Sequence, residues 1–142
     1  MKIKDIMSHD VRTTKPSDTV QHAAGIMAEI DAGALPVAEN DRLVGMVTDR
    51  DIVLRAVAKG KPPGECRVRD VMSDGIKYVY EDESTDDLAR NMSDLQLRRL
   101  PVMSRDKRLV GIVALGDLAT APGRGREAKK AISGVSEGSA TA

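Results

Sequence analysis

Lys4-Asp5-Ile6-Met7-Ser8 recurs as Arg69-Asp70-Val71-Met72-Ser73, an offset of 65 residues. At the same offset Met27 matches Met92, and Leu35-Pro36-Val37 matches Leu100-Pro101-Val102. One inserted residue moves the offset to 66, where Arg42-Leu43-Val44-Gly45 matches Arg108-Leu109-Val110-Gly111 and Asp51 matches Asp117. A register kept over that distance with a single gap marks an internal duplication.

Each copy reads as strand, helix, strand, strand, helix. Extended segments are expected at Val11 to Thr14 and Ile76 to Val79. Ser17 or Asp18 caps the first helix, with Val20, Ala23, Ala24, Met27 and Ile30 on its apolar face. The second copy is capped near Ser84 and shows Leu88, Met92 and Leu95. A strand around Leu35 to Ala38, a turn at Asn40-Asp41 and a strand from Leu43 to Val47 follow. The last helix opens near Asp51, with Ile52, Val53, Ala56 and Val57 expected to face inward.

The predicted class is α/β (α+β): two repeats, each a small sheet packed with two helices. Residues 1–60 form the first repeat, 61–66 a connector, 67–121 the second repeat and 122–142 a flexible tail. Each half is too short to bury much core alone, so the halves are expected to pack face to face about a pseudo-twofold axis.

Composition narrows the function classes. Lys+Arg and Asp+Glu both number 22, so no global positive charge draws the chain to nucleic acid or an anionic membrane. With two Tyr and no Phe or Trp, base-stacking platforms are nearly ruled out and the core must be aliphatic. One Cys excludes an intrachain disulfide, and Cys66 reads as a reduced thiol in the connector. His9 and His22 lack partners at metal-ligand spacing, so no metal site is expected. No signal peptide or membrane span is visible, and a cytoplasmic location is expected. No Ser, Cys or Lys has a base partner at motif spacing, which argues against an enzyme.

The chemistry concentrates in Gly45-Met46-Val47-Thr48-Asp49-Arg50-Asp51, where a strand runs into a helix. Two readings stand. A helix N-terminus suits a phosphate, a Thr hydroxyl donates to it, and a carboxylate three residues on accepts both ribose hydroxyls. Thr48 and Asp51 also make a capping box. The second copy, Gly111-Ile112-Val113-Ala114-Leu115-Gly116-Asp117, loses the hydroxyl and keeps the acid, which favours the first reading.

Asp-Ile-Met near the start, Leu-Pro-Val in the middle and Gly-x-x-Thr-x-x-Asp together resemble a cystathionine-beta-synthase (CBS) domain. Two in tandem resemble a Bateman module, similar to stand-alone bacterial CBS-pair proteins of the hypoxic response protein type. The resemblance spans about residues 2–120. It implies a disc-shaped homodimer of four repeats whose inter-repeat clefts sense AMP, ADP, ATP or a related adenosyl ligand, with no resident cofactor. It places Asp51 on the ribose and Thr48 on a phosphate. Ile76, Lys77 and Tyr78 form the facing wall, Arg98 and Arg99 take phosphate, and Tyr78 stacks on the base. The second cleft takes Asp117, Val11 and Thr13. There Ala114 replaces Thr and Gly33-Ala34 replace the Arg pair, so weaker phosphate binding is expected. With no effector domain legible in these residues, a sensor's output is expected to pass to a separate protein. The alternative is a dimerisation or partner-docking module with degenerate, ligand-free clefts. Nucleic-acid binding through Arg98, Arg99, Arg105, Lys107 and Arg108 is a third reading.

Overall fold

A computed structural model describes residues 1–95 and 98–120, apart from the side chain of Leu95. The expectations for that side chain and for the 122–142 tail fall outside the described residues. The chain divides into two compact units, one of residues Arg12–Ile76 and one of Met1–Val11 with the chain from Lys77 onward.

In the Arg12–Ile76 unit, helix α1 (Val20–Ile30) leads to strands β1 (Ala34–Glu39) and β2 (Arg42–Thr48), then the short helix α2 (Asp49–Ile52). The strands pair antiparallel from Ala34↔Thr48 to Glu39↔Arg42, with a bulge at Val37/Ala38. Asn40 and Asp41 turn the hairpin with φ of 54° and 63°, the left-handed pair that a two-residue hairpin of this twist requires. Thr14 extends the sheet through a parallel bridge to Val37. Val20, Ala23, Met27, Leu35, Val37 and Val47 form the core with Ile52, Ala56, Val68 and Val71. Cys66, at the end of the expected connector, is buried in this core.

Three local expectations change. Thr19, not Ser17 or Asp18, caps α1, its hydroxyl accepting from His22 N at 3.1 Å. Asp18 is engaged elsewhere, accepting from Lys15 N at 2.8 Å and from the Thr14 hydroxyl at 3.0 Å. The apolar face of α1 is rotated, so Ile26 is buried and Ala24 exposed. Finally, Val53 and Val57 face outward, 54% and 58% exposed, beside Leu54 at 46%. Val53–Val57 winds as a π turn after α2, with Ala58 N bonding Val53 O at 2.8 Å. The wider turn leaves only Ile52 and Ala56 facing the core.

The other unit holds β3 (Val79–Tyr80), α3 (Thr85–Leu95), β4 (Arg99–Met103), β5 (Leu109–Ala114) and α4 (Leu115–Thr120). Its sheet order is β3-β4-β5, the first pair parallel and the second antiparallel. Ser84 caps α3 as expected, accepting from Asp87 N at 3.1 Å. Ile3, Met7, Val79, Leu88, Met92, Leu100, Val102, Val113 and Leu118 are core.

The compact units do not follow the sequence repeats. The first copy of the opening motif packs on the second repeat. Ile3 N bonds Glu83 O at 2.9 Å, and Ser8 and Ile112 exchange backbone bonds of 2.9 Å each. The second copy packs on the first repeat, where Ser73 and Met46 exchange bonds of 2.8 and 2.9 Å. Glycine is required beneath both straps. A Cβ on Gly111 would lie 2.8 Å from Ser8 O, and one on Gly45 would lie 2.8 Å from Ser73 O.

Candidate functional site

The two strand-to-helix turns are built alike. In the Arg12–Ile76 unit the Thr48 hydroxyl accepts from Asp51 N at 3.0 Å, and Asp51 Oδ2 accepts from Thr48 N at 2.9 Å. The capping box therefore forms. In the other unit Ala114 has no hydroxyl to offer, yet Asp117 Oδ2 still accepts from Ala114 N at 2.8 Å. Retention of the acid without the hydroxyl thus has a structural cause of its own: it satisfies a backbone N–H at the turn.

The loop before each Leu-Pro-Val is tied to the same turn. Asp49 N bonds Gly33 O at 2.9 Å, and Leu115 N bonds Arg98 O at 2.8 Å. That second bond brings Arg98 and Arg99 beside their own repeat's turn. With Ala114, Leu115, Gly116 and Ala119 they line a cavity of about 300 Å³. The sequence groups the Arg pair with Asp51. Within its own unit the pair lies beside the Ala114–Gly116 turn, as the strand register Arg99↔Ala114 requires. Both arginines are exposed at this edge.

The remaining expected residues divide between the units. Thr13 and Ile76, half-buried, lie in the unit that holds Thr48 and Asp51. Val11, Lys77 and Tyr78 lie in the unit that holds Arg98, Arg99 and Asp117. Tyr78 is 43% exposed and meets Tyr80 edge-on, with ring centroids 5.6 Å apart and planes at 88°. Sequence reasoning passed over Tyr80, although two-residue spacing puts both rings on one side of an extended segment. The Arg105 guanidinium lies 4.0 Å over the Tyr80 ring and grips Asp82, with Nε bonds of 3.0 and 2.9 Å to the two carboxylate oxygens. The hydrogen bond from Arg105 holds the Asp82 carboxyl below its ordinary value. Arg108 meets Asp106 at 3.6 Å. Arg105 and Arg108, two of the five basic residues counted toward nucleic acid, are thus paired with acids of their own unit.

Among the described residues no three His, Cys, Asp or Glu side chains gather to hold a metal. No helix among them is long and apolar enough to cross a membrane.

This chain belongs to the CBS domain family, whose model matches residues 3–57 and 68–124. It is a CBS-pair regulatory module. It is 42% identical over 139 residues to the YlbB protein of Bacillus subtilis (strain 168), covering 96% of this chain and 93% of that one. It is 41% identical over 117 residues to Hypoxic response protein 1 of Mycobacterium tuberculosis, covering 82% of this chain and 81% of that one. A crystal structure of Hypoxic Response Protein I with two coordinated zinc ions superposes with a TM-score of 0.77 at 39% identity, covering 86% of this chain and 100% of that one. The CBS domain pair of MJ0100, solved with 5-methylthioadenosine and S-adenosyl-L-methionine, superposes with a TM-score of 0.68 at 29% identity, covering 84% and 93%.

Proposed function

We propose that this CBS pair is a non-catalytic, cytoplasmic sensor of an adenosine nucleotide that works as a homodimer and signals to a separate effector protein. The observation that carries the reading is the cavity where Arg98 and Arg99 flank Ala114–Gly116. Arginine guanidiniums match the oxygen geometry of a phosphate and stay charged at any physiological pH, and two arginines line this cavity. Asp117 and Asp51 each spend one carboxylate oxygen on the backbone, and the other is assigned to ribose hydroxyls. Tyr78, 43% exposed, is assigned to stack on a purine. The adenosyl ligands of the MJ0100 pair support the ligand class.

The test is a thermal-shift series with AMP, ADP, ATP and S-adenosylmethionine. A ligand that binds only the folded chain raises Tm as its concentration passes Kd, by about 2.7 kcal/mol of stabilisation at a hundredfold excess over Kd. A shift is expected with at least one nucleotide. No shift with any of them at millimolar concentration would reject the reading. One observation favours the alternative of a ligand-free docking module: the Thr48–Asp51 box is already closed on itself. A flat thermal-shift series with an intact dimer is the outcome that supports it.

A further inference from the structure

The two turns are matched atom for atom in their backbone bonds, which allows position-by-position comparison. Gly33, Ala34, Thr48, Asp49 and Arg50 stand where the other repeat has Arg98, Arg99, Ala114, Leu115 and Gly116. Where the second turn has Arg98 and Arg99 lining its cavity, the first sets a carboxylate against a glycine. Asp49 Oδ2 lies 3.0 Å, and Cγ 3.3 Å, from the point where a Cβ on Gly33 would be. Asp49, exposed at this turn, also accepts from Arg50 N at 2.8 Å through Oδ1. The absence of a side chain at residue 33 is what lets Asp49 lie there.

From this we infer that Asp49 is a specificity residue that excludes phosphorylated ligands from the Gly33–Asp51 turn, confining them to the Arg98–Arg99 cavity at one per chain. The inference rests on the adenosyl-ligand reading above. A phosphate placed at the first turn as at the second meets the Asp49 carboxylate in place of two arginines. Like charge at contact range is repulsive, and more so where the protein displaces water. Arg50 offsets part of that repulsion but carries one charge against the pair it would have to match.

The test is equilibrium dialysis of the full chain with AMP and, separately, adenosine. One AMP per chain is expected, with any second equivalent at least tenfold weaker. Arg98→Ala/Arg99→Ala should weaken the first equivalent at least tenfold. Asp49→Asn keeps the shape, removes the charge and should bring the second equivalent closer to the first. Gly33→Arg/Ala34→Arg/Asp49→Leu copies a combination the chain already carries in its second repeat, and should bind two AMP. Two equal AMP sites in the unaltered chain overturn the inference while the nucleotide reading stands. So does a second equivalent unmoved in both Asp49 variants, each checked as folded by circular dichroism. Adenosine bound with AMP refused also overturns it. Neither ligand bound overturns both readings.

Discussion

Two buried positions show how differently single atoms weigh in this chain. Gly111 has the Ser8 carbonyl 2.8 Å from where its Cβ would stand and Met7 Sδ at 2.6 Å. Met7 can swing aside, but Ser8 O is held by its bond to Ile112 N and cannot. Gly111→Ala is expected to cost about 1–3 kcal/mol, the usual range for overpacking. Thr85 has the opposite sign. It is fully buried, and its hydroxyl has no hydrogen-bond partner among the described residues. In the duplication it occupies the place of Val20, itself a core residue. Thr85→Val replaces an unsatisfied hydroxyl with a methyl of the same shape and should add about 1 kcal/mol. Urea denaturation of both variants against the parent checks both signs, and a stabilised Gly111→Ala or destabilised Thr85→Val would refute the packing described.

At the scale of elements, the hairpins, their turns and the order of strands and helices were legible because periodicity and turn residues are local signals. Asn40-Asp41 needed no knowledge of the rest of the chain. The α1 cap was not legible to the residue, because Ser17, Asp18 and Thr19 are all good caps and the choice depends on a contact made elsewhere. Thr14, in the preceding extended segment, draws Asp18 away. Val53 and Val57 were misplaced for a similar reason, since a π turn has no apolar period of its own. The place of Arg98-Arg99 beside the Ala114–Gly116 turn could have been read from the duplication, which pairs each Leu-Pro-Val loop with the turn of its own copy. The Asp18 contacts carry a pH prediction. Burial raises its pKa, but the bonds from Lys15 N and Thr14 and the nearby His22 and Lys15 charges outweigh it, leaving the pKa below 3.8. A depressed folded-state pKa stabilises above the unfolded value and stops doing so as pH falls through the folded one. Asp18→Asn should therefore cost about 1 kcal/mol near neutrality, with the gap to the parent narrowing below pH 3.8. Urea midpoints at pH 7 and at pH 3 measure this, and a gap that widens in acid would contradict it.

For the molecule as a whole, the duplication was visible in the letters but the exchange of straps was not. Sequence similarity says that Lys4–Ser8 and Arg69–Ser73 are equivalent; it is blind to which repeat each one covers. The structure places Ile3 and Met7 in the core with Leu88, Leu100 and Leu118. Removing residues 1–8 should therefore loosen the unit that begins at Lys77 and spare the unit from Arg12 to Ile76. Hydrogen exchange resolved by segment tests this: protection should fall in β5 and α3 first, and loss confined to α1 and β1 would contradict the exchange. The second consequence concerns assembly. Val53, Leu54 and Val57 are three large apolar side chains on one π turn, each about half exposed. Neighbours of this kind on a surface mark a place where another surface is expected to sit. Under the homodimer proposal that surface is a second copy. A charge at the centre of the patch keeps the fold, because Leu54 is outside the core, but makes its burial against another copy costly. Leu54→Asp should shift the chain toward monomer in sedimentation velocity while leaving its circular dichroism unchanged. A variant as dimeric as the parent would move the interface elsewhere.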